Sequence, residues 1–288
     1  MTVQAIGDVP VTRDGDGLSR GVLRRAAGNA TLWLSAAVLL TVALWSVAPG
    51  WFTEHDPYTG ITVNRLQPPS AEHLFGTDQI GRDLLTRIIY GASASVSSAI
   101  IAVAIALFAG SVIGLLSGFI GSWVDPILTR VVDVLLAIPS FLLAIITVSA
   151  LGFATVNVAI ATGVSAVAVF ARVMRSEVLR IKHLSFIESS YLIGGTKHYV
   201  LIRHVLPNAY RSVFHLAVLQ FGLAIIVISG LAFLGYGDPP PSSEWGLLVA
   251  DGKEYMKRYP WLVFAPAAVI AVTVLSLYRI SRIFGDRT

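Results

Sequence analysis

Ser185-Phe-Ile-Glu188-Ser-Ser-Tyr-Leu-Ile-Gly194-Gly195-Thr196-Lys-His-Tyr-Val-Leu-Ile-Arg203-His204-Val-Leu206-Pro207-Asn208 is a polar, helix-forming insert between two very apolar stretches. The chain carries no charged residue from Val134 to Ala171 before it, and none from Ser212 to Gly237 after it. The spacing Ser185-x-x-Glu188 fits a capping box, in which serine and glutamate satisfy each other's backbone N–H groups. A helix starting at Phe186 would then stop at Gly194-Gly195, where glycine tolerates a left-handed cap. Thr196 is placed to cap a second helix, which Pro207 limits. On the first helix Phe186, Ser189, Ser190 and Ile193 share one face by their i, i+3, i+4, i+7 spacing. Two readings stand: a surface helix lying in the lipid interface, or a small knob seated in a protein groove. The polar Ser189, Ser190 and Tyr191 and the double glycine make the helix weakly one-sided, which suits the knob better.

The rest of the chain sets the class. Its 288 residues are 55% hydrophobic and only 13% charged, with mean hydropathy +0.73. A soluble domain of this length needs far more charge to cover its surface, so the reading is an all-α, polytopic membrane protein. Cysteine is absent, which excludes a disulfide framework, a thiolate metal site and a cysteine nucleophile. A span needs about 20 apolar residues. Six such segments are expected: 30–48, 92–117, 127–150, 155–174, 212–237 and 259–278. Residues 1–29 carry early charges and no apolar core, unlike a cleavable signal peptide. They are expected as a cytoplasmic tail, disordered over 1–25. Residues 49–91 form an extracytoplasmic segment, 92–282 a five-helix core containing the loop 185–208, and 283–288 a second cytoplasmic tail.

Orientation follows from lysine and arginine. Of 21 such residues, Arg65, Arg82, Arg87, Lys253, Lys257 and Arg258 fall outside when the N-terminus is inside, and the others fall inside. Both ends and the 185–208 loop are therefore expected on the cytoplasmic side. The second span carries Gly110, Gly114 and Gly118, a spacing that lets helices approach closely. Packing within the chain and packing against another subunit both remain open. Among polar groups near or within spans, Asp133 stands out. An intramembrane acid is a functional candidate, and its expected partner is Arg130, as an ion pair or a gate contact. His215 and Gln220 could line a pore or hydrogen-bond a neighbouring helix.

Two kinds of chemistry find little support. A phosphate-binding loop needs Gly-x4-Gly-Lys-Ser/Thr, and the nearest approach, Gly246 to Gly252-Lys253-Glu254, has the wrong spacing and ending. His73, Asp78 and Asp83 could suggest a metal, but they do not recur on one helical face. The stretch reads better as a turn and a helix cap, with Asp83 well placed at a helix N-terminus. The chain is not expected to be an enzyme or to bind metal or nucleic acid.

The insert resembles the loop of ATP-binding-cassette importer permeases: Glu-Ala-Ala, three residues, Gly, nine residues, then Ile-x-Leu-Pro. Here Glu188-Ser189-Ser190, Gly194 and His204-Val-Leu206-Pro207 stand at matching spacing. Serines replace the two alanines, and histidine replaces isoleucine. His204-Val-Leu-Pro207-Asn208 is similar to a segment of dipeptide, oligopeptide and nickel permeases. His73-Leu-Phe-Gly76-Thr77-Asp78-Gln-Ile-Gly81-Arg82-Asp83 resembles a signature of their C-type subunit. Leu231-Ala-Phe233-Leu-Gly235-Tyr-Gly237, Pro240-Pro241 and Trp245-Gly246 resemble the stretch after the fifth span.

The resemblance implies the type I importer permease fold. It also implies a heteromeric pore with a B-type permease, two cytoplasmic subunits that bind ATP and magnesium, and an extracytoplasmic solute-binding protein. Phe186 to Gly195 would be the coupling helix, with Glu188 capping it and Gly194 allowing its sharp end. His204, Leu206, Pro207 and Asn208 would anchor the return into span five. Gly76, Thr77, Asp78, Gly81, Arg82, Asp83 and Trp245 would form an outer gate or a docking surface for the binding protein. Short peptides are the leading solute, with nickel chelates and other peptide-sized solutes as alternatives. An ion-coupled transporter would need acids near the membrane midplane, and no span offers one there.

Overall fold

The computed structural model describes residues 15–285, with side chains described for residues 30–282. The expected tails at 1–14 and 286–288 lie outside the described residues. Residues 15–25, expected to be disordered, are helical. Ten α-helices make up the described chain: α1 (Gly15–Val47), α2 (Leu84–Ile120), α3 (Val124–Ala137), α4 (Ser140–Leu151), α5 (Thr155–Lys182), α6 (Ser185–Leu192), α7 (Lys197–Val200), α8 (Leu206–Phe233), α9 (Trp245–Gly252) and α10 (Trp261–Gly285). Among the described residues the only extended pairing is an isolated bridge between Thr77 and Asp83.

Among the described residues, five helical segments are long and apolar enough to cross a membrane: Ala30–Val47, Leu84–Ile120, Thr155–Lys182, Lys197–Phe233 and Trp261–Arg282. The third expected span is not one straight helix. It divides into α3 and α4, which meet at 93°. Pro139 is the cause: it disfavours helical backbone at the residue before it, and Ile138 is extended, with φ −91° and ψ 127°.

α2 begins eight residues before its expected start. Asp83 caps it, accepting from the Thr86 N–H at 2.7 Å, so the helix carries Arg87 inside its first turns. α5 likewise runs past residue 174 to Lys182. There the ammonium donates to the Gly118 and Phe119 carbonyls at 3.1 and 3.0 Å. These carbonyls lie at the C-terminus of α2, where a cation is favoured.

The glycine stripe packs α2 against α5 inside the chain. A Cβ on Gly110 would sit 2.5 Å from the Phe170 Cβ, and one on Gly114 2.4 Å from the Ala171 carbonyl oxygen. Three apolar clusters result, a small one of Val132, Ala168 and Ala171 between α3 and α5 and two larger cores. The larger joins α1, α2, α4, α5, α8, α9 and α10 around the fully buried Trp245. The second joins α2, α5, α6 and α8 at the opposite end of the bundle, and it takes in Ile187, Val200 and Val205 from the polar insert.

Candidate functional site

The insert folds as helix, turn, helix, but its details differ from the sequence reading. The capping box does not form. Leu184 is the N-cap, and no side chain caps α6. The Leu184 carbonyl accepts from the Ile187 and Glu188 N–H groups at 2.9 and 3.4 Å, so Ser185 already lies within the helix, and Glu188 stays exposed. The far end is as expected. Gly194 has φ +93°, a conformation costly for residues with a Cβ, and the Gly195 N–H reaches the Ser190 carbonyl at 2.8 Å. Thr196 caps α7, accepting from the Tyr199 N–H at 3.3 Å.

Pro207 does not end the second helix. A π-helical turn over Leu201–Val205 leads directly into α8. The turn's wider hydrogen bonding, from the Leu206 N–H to the Leu201 carbonyl, delivers the chain to a residue with no N–H to give. The Asn208 amide then donates to the His204 carbonyl at 2.6 Å.

Burial divides the insert into an anchored side and an open side. Ile187, Val200 and Val205 are buried in the bundle. Ser190, expected on the knob face, turns inward beside Ile187. Leu206, Pro207 and Asn208, expected as anchors, are exposed, and the anchoring falls to Val200, Val205 and Ala209. His204 lies edge-on to both Phe186 and Tyr199, with ring centroids 5.9 and 5.6 Å apart, and so ties the two helices together. Leu192 and Ile193 are each 87% exposed, and Phe186 is exposed beside them.

At the other end of the bundle the charged residues are buried. Asp78 accepts from Arg82 Nε at 2.6 Å and from Arg87 at 3.0 Å. Its other oxygen takes the Ile80 and Arg82 N–H groups. Arg87 also donates to the Ser242 carbonyl at 3.0 Å and lies 3.5 Å from Asp251. Burial pushes the Asp251 carboxyl above the usual range, against the pull of Arg87. Asp83 pairs with His73 at 3.0 Å, while Thr77 binds the Gln67 N–H and the Asn64 carbonyl. Gly76, at φ +74°, leaves room for the Trp261 ring edge.

Trp245 is fully buried; its Nε1 donates to the Ile88 carbonyl at 2.9 Å. Glu244 caps α9 through the Leu247 N–H at 3.0 Å and accepts from Ser95 at 3.1 Å. Its burial raises its pKa. Gly76, Thr77, Asp78, Gly81, Arg82, Asp83 and Trp245 therefore form an internal brace, and none of them presents a docking surface in this chain. Arg87, Glu244 and Asp251, which join the loop to α9, were missed in the sequence. Each stands at the start or end of an apolar run, which was the available signal.

Asp133 pairs with Arg172 of α5 at 2.9 Å and not with Arg130. The pair is half or more exposed, so its contribution to stability is about 0–1 kcal/mol. The better-held acid nearby is Asp125, which takes a bidentate pair from Arg175 at 2.6 and 2.7 Å and a hydrogen bond from Ser117. On α8 the buried His215 Nδ1 has no hydrogen-bond partner, and Gln220 lines a cavity shared with α2, α4 and α5.

Residues 110–288 match the binding-protein-dependent transport system inner membrane component family. The chain is 40% identical over 217 residues to a dipeptide transport system permease protein of Alkalihalophilus pseudofirmus, covering 75% of this chain and 71% of that one. It is 33% identical to a probable D,D-dipeptide transport system permease protein of Escherichia coli, over 88% of this chain and 83% of the relative. An oligopeptide transport system permease protein of Bacillus subtilis is 31% identical over 89% of this chain and 84% of its own length. Among solved structures, an amino acid ABC transporter crystallised with histidines superposes with TM-score 0.56 at 15% identity, over 71% of this chain and 95% of that chain. That likeness supports the type I permease fold.

Proposed function

Because the chain belongs to the family of binding-protein-dependent transport system inner membrane components, we propose that it forms, with a B-type permease, the pore through which dipeptides or short oligopeptides enter the cell. The chain is a multi-pass inner-membrane permease and not an enzyme. Two cytoplasmic subunits bind ATP and magnesium, and an extracytoplasmic binding protein delivers the peptide. Both termini face the cytoplasm, in keeping with the distribution of lysine and arginine.

One observation carries the coupling half of this reading. α6 is fixed to the bundle by Ile187 and ends in two almost fully exposed aliphatic residues, Leu192 and Ile193. Exposed apolar surface rimmed by polar residues marks an interaction site. Here Ser189, Glu188 and Thr196 supply the rim. Phe186, Leu192, Ile193 and Gly194 seat in a groove of an ATP-binding subunit, and Glu188 lies at the edge of that contact. Motion of the subunit passes through Ile187, Val200 and Val205 to α5 and α8. Asp133, with Arg172, lies beside this route as a gate contact. Transport follows as rigid-body rocking of helix bundles between outward- and inward-facing states.

Reconstitution of the full complex in proteoliposomes tests the reading. Labelled dipeptide is expected to accumulate only when binding protein is outside and ATP is on the opposite side. Accumulation driven by an ion gradient without ATP would overturn it in favour of a secondary transporter.

A further inference from the structure

We propose that the cavity at the centre of the bundle receives an uncharged side chain of the peptide in transit, an inference that rests on the peptide-permease reading. The cavity has a volume of about 330 Å³ and is walled by α2, α5, α8 and the first turn of α4. Its depth is set by the lining residues: Ala102 and Ala106 stand at the middle of α2, and Gln220 at the middle of α8. Sites for transported solutes concentrate at this depth, and the volume lies at the lower end of the range for small-ligand sites.

The chemistry of the wall restricts the occupant. None of the described lining residues is ionisable. Most are Ala, Val, Leu and Phe, and the polar groups are the neutral Ser140, Thr162, Ser165 and Gln220. An isolated charge would enter such a space at high cost, so the peptide's charged termini stay in the aqueous path and a hydrocarbon or aromatic side chain enters. Thr162 lies within that wall rather than at its surface. It is 4% exposed, and its hydroxyl is buried with no hydrogen-bond partner. Ser165 does not satisfy that hydroxyl, because it donates to the Thr162 carbonyl at 2.8 Å instead. A buried hydroxyl without a partner is uncommon in native structures.

The test uses the complete complex in proteoliposomes and two peptides with identical termini, Gly-Gly and Ala-Phe. Ala166 lines the cavity, and Ala166→Leu fills part of it. The uptake ratio of Ala-Phe to Gly-Gly is expected to fall about tenfold, the usual scale for changing a pocket by a few methylenes. An unchanged ratio in an assembled complex would overturn the proposal and leave the peptide-permease reading intact. Failure of the wild-type complex to take up either peptide would instead remove that reading, and the proposal with it. Should Ala166→Leu not assemble, Gln220→Cys, at a half-buried position in the cavity wall, gives this cysteine-free chain a single thiol. Ala-Phe is expected to slow its maleimide labelling and Gly-Gly is not; equal labelling would overturn the proposal.

Discussion

The two ends of the bundle hold their loops in opposite ways. The first loop, residues 60–83, is fixed by buried charge: Asp78 binds two arginines, and Arg87 reaches on to Ser242 and Asp251. The second loop, residues 185–208, is fixed by three buried aliphatic residues and leaves its tip apolar and open. A buried ionic network tolerates little displacement, because separating its members leaves charge without a partner. An apolar anchor is non-directional and suits a segment pushed and pulled by a partner. On the proposed reading, the 60–83 end is a brace and the 185–208 end a handle.

The largest test of that contrast is to remove one charge from the brace. Arg87→Met leaves Asp78 and Asp251 short of a partner and is expected to cost about 3–5 kcal/mol, read as a lower unfolding temperature of the purified complex. A change under 1 kcal/mol would mean that the network is not a brace. Ile187→Ala, at the root of the handle, is expected to cost about 2–5 kcal/mol, as for other buried large-to-Ala changes, and to weaken coupling as well. Ile193→Ser, at the tip, is expected to leave stability within about 0.5 kcal/mol while lowering peptide-stimulated ATP hydrolysis. Equal stability losses at Ile187 and Ile193 would erase the distinction between root and tip.

The smallest effect is a pH slope. Burial raises the pKa of Glu244, so the folded state holds its proton more tightly than the unfolded chain. The resulting stabilisation is complete below the ordinary glutamate value and is lost as pH rises through the folded value. Glu244→Gln is expected to flatten this decline. An unchanged slope would place its origin elsewhere, Asp251 being the next candidate.

The sequence made the class and the insert legible because both rest on patterns along the chain. Apolar runs, the double glycine and the Thr196 cap are all local. The errors arose where the outcome depends on neighbours in space. Pro139 was present in the third expected span, yet a single apolar run concealed a 93° bend. Trp245 read as part of an outer gate or docking surface, but α9 folds back and buries it against Ile88. Arg130, three residues away, was the nearest cation to Asp133 in sequence, whereas α5 brings Arg172 to it. Ser185 fitted a capping pattern that Leu184 pre-empted by starting the helix one residue earlier.

The handle is tested most directly at Gly194, which sits at φ +93° with no neighbouring atom within 4 Å of an added Cβ. Gly194→Asp therefore alters the backbone bend and the tip without any clash inside the bundle. In the reconstituted complex, peptide and binding protein are expected to lose their stimulation of ATP hydrolysis in this variant, although the complex remains assembled in the membrane. Normal substrate-stimulated ATP turnover in Gly194→Asp would contradict the assignment of residues 185–208 as the segment through which ATP hydrolysis drives this permease.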